Sequence, residues 1–305
     1  MTRHLPDNHA WRLDCAGKIL DLTKGPSIMG IVNLTPDSFS DGGRFGGRGG
    51  SIDLDKALVS ALGMIAAGAD IIDVGGESTR PGADAVSEEE EIRRTAPFIE
   101  LLRSRSDVLI SIDTWKSGVA EAALAAGANM VNDISGFTFD PRMPELCGRR
   151  KCGVVLMHTP VRPGSMQWSH DTGTSDLDIV TRVLDFLKRS IEIARSHGID
   201  AIVTDPGLGF GKSVDENFRL LGRLDELHGL GCPVLAGLSR KSFLGHAIRK
   251  DGQEIPPPAA RHDATTCANT LALLNGADIL RVHDVESAVQ TRSVVLAMRR
   301  ACNGY

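Results

Sequence analysis

Eight short aliphatic runs, each closing on or beside a polar residue, constrain this 305-residue chain more than any other feature. They are Ile28 to Asn33, Ile71 to Val74, Val108 to Asp113, Met130 to Asp133, Gly153 to His158, Ala201 to Asp205, Pro233 to Ser239 and Ile279 to His283. Each has the length of a strand. A strand apolar on both faces is buried on both faces, as in a parallel sheet covered by helices. The segments between them carry helical spacing. Leu54 to Ala67 stops at Gly68, Gly118 to Ala126 at Gly127, Leu177 to His197 at Gly198, and Ala264 to Leu274 at Gly276. Glycine just past the last turn is the usual helix stop. Glu88 to Arg103 follows Ser87, which with Glu90 predicts a capping box. Asp215 to Leu227 and Ser287 to Arg300 read as further helices, and Asp140 to Arg150 as a short link. Eight strands alternating with helices predict a (β/α)8 TIM barrel, with an open doubly wound sheet as the competitor.

Ahead of the first run, Arg12 to Asp14 and Ile19 to Leu22 flank an Ala16-Gly17 turn. This predicts a β-hairpin closing the bottom of the barrel. No repeat, low-complexity tract or linker divides the chain. It reads as an extension with the hairpin over 1–27 and one barrel over 28–300. Gly252 to Arg261, with Pro256, Pro257 and Pro258, reads as a long exposed loop.

Composition narrows the function. A net charge of −5, from 34 basic and 39 acidic residues, argues against nucleic-acid and membrane-surface partners. Aromatics at 4% leave no stacking platform for single strands. No run of about 18 apolar residues predicts a membrane span, and the N-terminal residues lack an apolar signal core, so a cytoplasmic location is expected. The six cysteines form no C-x-x-C pair and no zinc spacing, and read as reduced, mostly buried thiols.

In a barrel of this kind the active site lies at the C-terminal strand ends. The residues there are Asn33, Asp73 with Glu77, Asp113, Asn132 with Asp133, His158, Asp205, Ser239-Arg240-Lys241 and Arg281-Val282-His283-Asp284. Any one alone would read as a helix cap or a polar filler. Together they are chemically asymmetric. Asp113, Asn132 and Asp205 suit a flat heterocycle whose N–H edge a carboxylate binds bidentately. Arg240, Lys241, Arg281 and His283 come from the last two strands, a common anion site, so phosphate or pyrophosphate is the natural guest.

Thr35 to Gly43, followed by Gly46, Gly47, Gly49 and Gly50, reads as a lid. After the second run, Arg80 sits beside a rigid Pro81-Gly82 corner and can reach an anion. Gly207 to Ser213 looks like a P-loop, but Pro206 stands where that motif requires glycine. Its glycines read instead as a backbone passing close to a bound ring. Neither G-x-S-x-G nor H-E-x-x-H is present. His4, His197, His228, His246 and His262 read as solvated, and Trp11, Trp115 and Trp168 as packing or rim residues.

The segments Asn33 to Gly43, Asp73 to Gly82, Asp205 to Lys212, Ser239 to Ser242 and Arg281 to Asp284 resemble the dihydropteroate synthase family, and the likeness runs from about Trp11 to Asp284. The resemblance implies a (β/α)8 barrel, usually a homodimer. The implied transferase joins 6-hydroxymethyl-7,8-dihydropterin pyrophosphate to 4-aminobenzoate in folate biosynthesis. By position it implies that Asp113, Asn132, Asp205 and Lys241 hold the pterin, with Met157 on its face. Arg281 would stack near the ring and reach the pyrophosphate. Asn33 and His283 would bind pyrophosphate, with Asn33 and Asp41 beside Mg²⁺. Phe39 and Pro81 would form the aminobenzoate pocket and Ser239 would take its carboxylate. Thr79, Arg80, Gly209 and Arg240 complete the implied substrate contacts.

Pyrophosphate leaves readily once Mg²⁺, Arg281 and His283 neutralise it. The pterin methylene is then left positive, where Asp113 and Asp205 can stabilise it, so a dissociative path without an enzyme nucleophile is expected. The chain departs from the commonest family pattern at Trp115 and at Thr159 to Pro163, both beside the implied pterin site. The Ser78 to Gly82 loop has no insertion, so ordinary sulfonamide sensitivity is expected. Two other readings compete: a pterin-binding corrinoid methyltransferase, which would not need the lid or the anion set, and a non-catalytic paralogue, which should have lost lid or ring residues.

Overall fold

The computed structural model describes residues 11–35, 53–78, 85–159, 162 and 177–302. The chain opens on an antiparallel hairpin of β1 (Arg12–Cys15) and β2 (Lys18–Asp21). Its turn residues Ala16 and Gly17 both have positive φ, 52° and 83°. That is the backbone hand of the two-residue turn that matches strand twist. The eight aliphatic runs then form β3 (Ser27–Asn33), β4 (Ile71–Gly75), β5 (Leu109–Asp113), β6 (Met130–Asp133), β7 (Gly153–Met157), β8 (Ile202–Asp205), β9 (Leu235–Gly237) and β10 (Ile279–Val282). They pair in parallel in the order β8-β7-β6-β5-β4-β3-β10-β9. The two ends of this sheet meet through one bridge, Thr204 to Val234, where the Thr204 N–H donates to the Pro233 carbonyl at 2.9 Å. The expected barrel, with a single core, is what the chain forms.

Alternation along each strand sorts the interior into storeys. One apolar side chain from every barrel strand meets at the lower end: Met29, Ile71, Leu109, Met130, Val155, Val203, Leu235 and Ile279. Leu13, Cys15, Leu20 and Leu22 of the hairpin segment pack on the same layer, and the Ala16 N–H donates to the Lys151 carbonyl at 2.9 Å. The hairpin therefore seals the floor. Fully burying each such aliphatic side chain contributes about 1.5–3 kcal/mol. Two residues further up the same faces stand Asp73, Ser111, Asn132, Met157, Asp205 and Arg281. The inward face thus changes from hydrocarbon to polar within one pleat. The outward faces, including Ile72, Ile110, Val131, Val154 and Leu280, join the helices in the larger core.

Those helices are α1 (Leu54–Ala66), α2 (Glu88–Arg103), α3 (Ser117–Ala125), α4 (Met143–Arg150), α5 (Ile179–Ser196), α6 (Val214–Gly222), α7 (Ser242–Ile248), α8 (His262–Leu274) and α9 (Val285–Cys302). Several expectations need correction. The capping box at α2 is half made. Ser87 Oγ accepts from the Glu90 N–H, but the Glu90 carboxylate turns to Arg93 and Arg94. A complete box forms instead at α6, between Ser213 and Glu216. The helix read over Asp215 to Leu227 breaks into α6 and a 3-10 segment, Leu224–Leu230. Helix α7 was not foreseen, and the proline-rich loop ends in a 3-10 turn, Pro258–Arg261. His228 is not solvated: its Nε2 lies 2.9 Å from Asp278 Oδ2. Four of the six thiols are buried, and Cys267 and Cys302 are exposed. No helix among the described residues is long and apolar enough to cross a membrane.

Candidate active site

The polar storey opens at the C-terminal mouth of the barrel. Asp73, from β4, is fully buried and belongs to the pair of strands facing β10 across β3. Arg281, from β10, spans the gap. Its Nε donates to Asp73 Oδ2 at 2.6 Å and its Nη2 to Asp113 Oδ2 at 2.5 Å. Asn132 Nδ2 donates to the same Asp73 oxygen at 3.1 Å, while Asp73 Oδ1 is buried without a partner. One guanidinium thus ties two carboxylates that would otherwise repel. Against the burial that would lower it, Asp73 and Asp113 hold Arg281 above the usual arginine range. Burial pushes Asp113 up to about 7, with Arg281 opposing. Asn33 ends β3 on the same side: a Cβ on Gly75 would lie 3.3 Å from Asn33 Oδ1 and 3.8 Å from Asp113 Oδ2. Glycine there keeps the space between them open.

A second group sits at the ends of β8 and β9. Asp205 Oδ1 accepts the Gly207 N–H at 2.7 Å. Lys241 Nζ donates to the Leu208 carbonyl at 2.5 Å and lies 4.0 Å from the centre of the Phe210 ring. Gly209 makes this approach possible. Its φ is +80°, and a Cβ would sit 2.5 Å from Lys241 Cδ. Burial lowers Lys241 to about 7, with Asp205 pulling the other way. Burial likewise raises Asp205. Beside them, Ser239 Oγ lies 2.9 Å from His283 Nδ1 and accepts the His283 N–H at 3.3 Å. Arg240 is exposed with φ +60°, its N–H donating to Thr265 Oγ1 at 3.0 Å.

An apolar wall faces these groups. Ile134, Met157 and Phe210 cluster, with Trp115 packed against them. Trp115 meets Phe139 edge-on at 6.1 Å, and Arg162 lies over Phe139 at 5.0 Å. The mouth therefore combines a carboxylate-carboxamide edge, an apolar face and a cationic corner. That set suits a flat, N–H-bearing ring with an anionic substituent.

The structure thus brings Asn33, Asp113, Asn132 and Arg281 together in one group, Asp205, Gly209 and Lys241 in a second, and Ser239 with His283 in a third. Met157 joins the wall. Phe39, Asp41, Thr79, Arg80 and Pro81 lie outside the described residues. Four members of the ring turn elsewhere, among them Asp284, whose Oδ1 accepts the Ser287 N–H at 3.0 Å at the start of α9. Asp133 faces away and accepts the Ser135 and Phe137 N–H groups, at 2.8 and 3.0 Å, to hold the next turn. His158 packs edge-on against Phe186 of α5, and burial, with Lys212 and Arg182, drops it to about 2, so it stays neutral. Glu77 pairs with Lys116, which also binds Glu91 and the Val86 carbonyl. Asp73 was in the ring but had no role; its position two residues above the floor layer is the signal that marks it. Lys212, dismissed with the P-loop look-alike, is buried beneath the Asp205 loop.

The family profile described as "Pterin binding enzyme" matches residues 29–283. The chain is 43% identical over 284 residues to a dihydropteroate synthase of Synechocystis, covering 92% of this chain and 93% of that one. Among solved structures it is similar to Xanthomonas albilineans dihydropteroate synthase with 4-aminobenzoic acid, at 43% identity and a TM-score of 0.82, covering 94% of this chain and 98% of the other. It is also similar to Yersinia pestis dihydropteroate synthase in complex with a sulfonamide drug, at 40% identity and a TM-score of 0.84, covering 95% and 99%.

Proposed function

The chain belongs to the pterin-binding enzyme family, among its dihydropteroate synthases, and from that premise we propose how its barrel mouth carries the reaction. The reaction joins 6-hydroxymethyl-7,8-dihydropterin pyrophosphate to 4-aminobenzoate and releases pyrophosphate and 7,8-dihydropteroate, a step of folate biosynthesis. The observation that carries the residue assignment is the Arg281 fork across Asp73 and Asp113, with Asn132 on Asp73 and an unpartnered Asp73 oxygen beside it. These acceptors suit the amidine-like edge of a pterin. The ring's face lies on Met157 and Phe210. Asp113, Asp205, Lys241 and Arg281 form the catalytic set.

As the C–O bond to pyrophosphate breaks, positive charge grows on the pterin methylene. The carboxylates of Asp113, largely withdrawn from solvent, and of Asp205, buried, stabilise it, and their effect grows as bound substrate displaces water. Arg281 and His283 take up the negative charge of the leaving group. The amine of 4-aminobenzoate then attacks, its carboxylate held by Ser239; the C–N bond forms from the nitrogen lone pair, the nitrogen gives one proton to solvent, and no covalent enzyme intermediate is needed. Phe39, Thr79, Arg80 and Pro81 are assigned to the aminobenzoate side, and Arg240 and Gly209 to the substrate rim.

Mg²⁺ is part of this reading. Among the described residues no group of three His, Cys, Asp or Glu side chains can hold a metal. A magnesium ion that brings its own waters and rides on substrate phosphates needs only one or two protein oxygens. Asn33 Oδ1 at the mouth fits that need, with Asp41 as the second ligand. Bound there, the ion would neutralise the departing pyrophosphate. We read the enzyme as a cytoplasmic homodimer. The homodimer part of this reading is supported by exposed apolar side chains on the two C-terminal helices, Leu271 on α8 and Val294 and Met298 one turn apart on α9.

The methyltransferase reading leaves the anion set without a purpose and the paralogue reading predicts losses, yet Ser239, Lys241, Arg281 and His283 are all present at the mouth. The test is pyrophosphate release from dihydropterin pyrophosphate with Mg²⁺, with and without 4-aminobenzoate. Release should depend on 4-aminobenzoate and fall at least 100-fold for Asp113→Asn and Arg281→Ala. Unchanged rates in both variants would remove them from the mechanism.

A further inference from the structure

The P-loop look-alike conceals an unusual lysine. Lys212 is 1% exposed, and among the described residues its ammonium makes no hydrogen bond to a carboxylate. It donates to three main-chain carbonyls instead: Gly207 at 2.8 Å, Phe210 at 3.1 Å and His158 at 3.3 Å. Three donors meet three acceptors, so the ammonium's hydrogen-bonding capacity is filled entirely by backbone. A buried ammonium is costly unless its donors are satisfied, and an apolar side chain in its place would take the donor from three buried carbonyls.

What the ammonium holds is the turn after β8. Gly207, Gly209 and Gly211 all have positive φ, 67°, 80° and 55°. Three left-handed residues within five do not hold one shape by propensity. The inner side of this turn is organised by two groups. One is Lys212. The other is Asn217 of α6, whose Oδ1 accepts the Gly209 N–H at 2.5 Å and whose Nδ2 donates to the Ser213 carbonyl at 2.7 Å. The outer side presents the Gly207 N–H to Asp205 and the Leu208 carbonyl to Lys241. The His158 contact fastens the same turn to the end of β7. The charged and titratable neighbours are Asp205, Lys241, Glu216 paired with Arg182, and the neutral His158.

We propose that Lys212 is a positioning residue: an internal cation on which the Gly207–Gly211 turn is templated, so that Asp205 and Lys241 stand ready for the pterin. Lys212 touches no substrate. The inference rests on reading the mouth as the pterin site.

The test uses the full-length enzyme as wild type, Lys212→Met and Lys212→Ala, with melting temperature measured first. Lys212→Met keeps the volume and removes the donors. Its KM for dihydropterin pyrophosphate should rise at least tenfold while its KM for 4-aminobenzoate moves less than threefold. Lys212→Ala should show the same split. n-Propylammonium, which replaces the missing methylenes and nitrogen, should lower the raised KM, whereas n-propanol should not. If Lys212→Ala is poorly folded, n-propylammonium should raise its melting temperature, and failure to do so counts against the proposal. A folded Lys212→Met with wild-type KM overturns it, as does a loss confined to kcat. Absence of turnover in the wild type would sink the synthase reading instead.

Discussion

The approach of Lys241 to Gly209 can be broken with one methyl group. Gly209→Ala forces a side chain into φ +80°, which costs an L-residue roughly 1–2 kcal/mol. It also places a carbon 2.5 Å from Lys241 Cδ, about 1 Å inside ordinary carbon contact. Lys241 must then move by about that much. It would give up its bond to the Leu208 carbonyl, a charged hydrogen bond worth about 1.5–3 kcal/mol. It would also leave its place over Phe210, worth about 0.5–2 kcal/mol. If half of that, about 1–2.5 kcal/mol, is lost to the pterin complex, KM for dihydropterin pyrophosphate rises roughly 5–70-fold. Gly198→Ala and Gly252→Ala are the references. Their φ values are 73° and 75°, and an added Cβ meets nothing within 4 Å. All three variants should melt a few degrees lower, by about 2–4 °C per kcal/mol. In the pyrophosphate-release assay only Gly209→Ala should change KM. A Gly209→Ala enzyme that melts like the references and keeps wild-type KM would refute the placement of Lys241.

Activity should be bell-shaped in pH. Burial raises Asp113 to about 7, so its charge-stabilising carboxylate accumulates as pH rises through that value. Burial lowers Lys241 to about 7, so its cation is lost over the same rise. Asp113→Asn should remove the acid limb of kcat/KM and Lys241→Met the alkaline limb, and a flat wild-type profile between about pH 5.5 and 8.5 would contradict both. Lys116→Met should destabilise by about 3–5 kcal/mol in urea titration, because it strands the buried Glu91 carboxylate. Adding Glu91→Gln should recover part of that loss, and no recovery would show that the charge is not the cause. Sulfonamides should compete with 4-aminobenzoate; purely noncompetitive inhibition would argue against a shared pocket.

Local pattern made the barrel legible. Each strand is a contiguous run, and the hairpin turn is spelled by Ala16-Gly17. The site residues were legible as a ring because parallel strands all point their C-terminal ends one way. What was not legible depends on partners far along the chain. Asp73 and Arg281 are 208 positions apart, and neither residue names the other. His228 looked solvated because Asp278 lies 50 positions away. The Ser87-Glu90 motif has the right spacing, but Arg94 at 2.8 Å outcompetes the backbone N–H for the carboxylate. Helix α7 has only seven residues and contains Gly245, too short for a periodic signal. Lys212 was hidden by its own motif. A glycine-rich turn ending in lysine suggests a phosphate, and only the contacts of Nζ show that its partners are the chain's own neutral carbonyls.

The seam where Thr204 meets Val234 gives the barrel a mechanical grain. Around most of the circumference neighbouring strands share several rungs, but β8 and β9 share one bridge. Strain therefore concentrates there, and the Thr204 amide should exchange with solvent before its neighbours in β7. The seam also runs between Asp205 on one bank and Lys241 on the other. Widening it shifts the two banks apart, while the Arg281 fork, gripping β4 and β5 from β10, restrains the opposite side. The sparsest rung of the barrel thus lies between the two residues, Asp205 and Lys241, assigned above to the pterin.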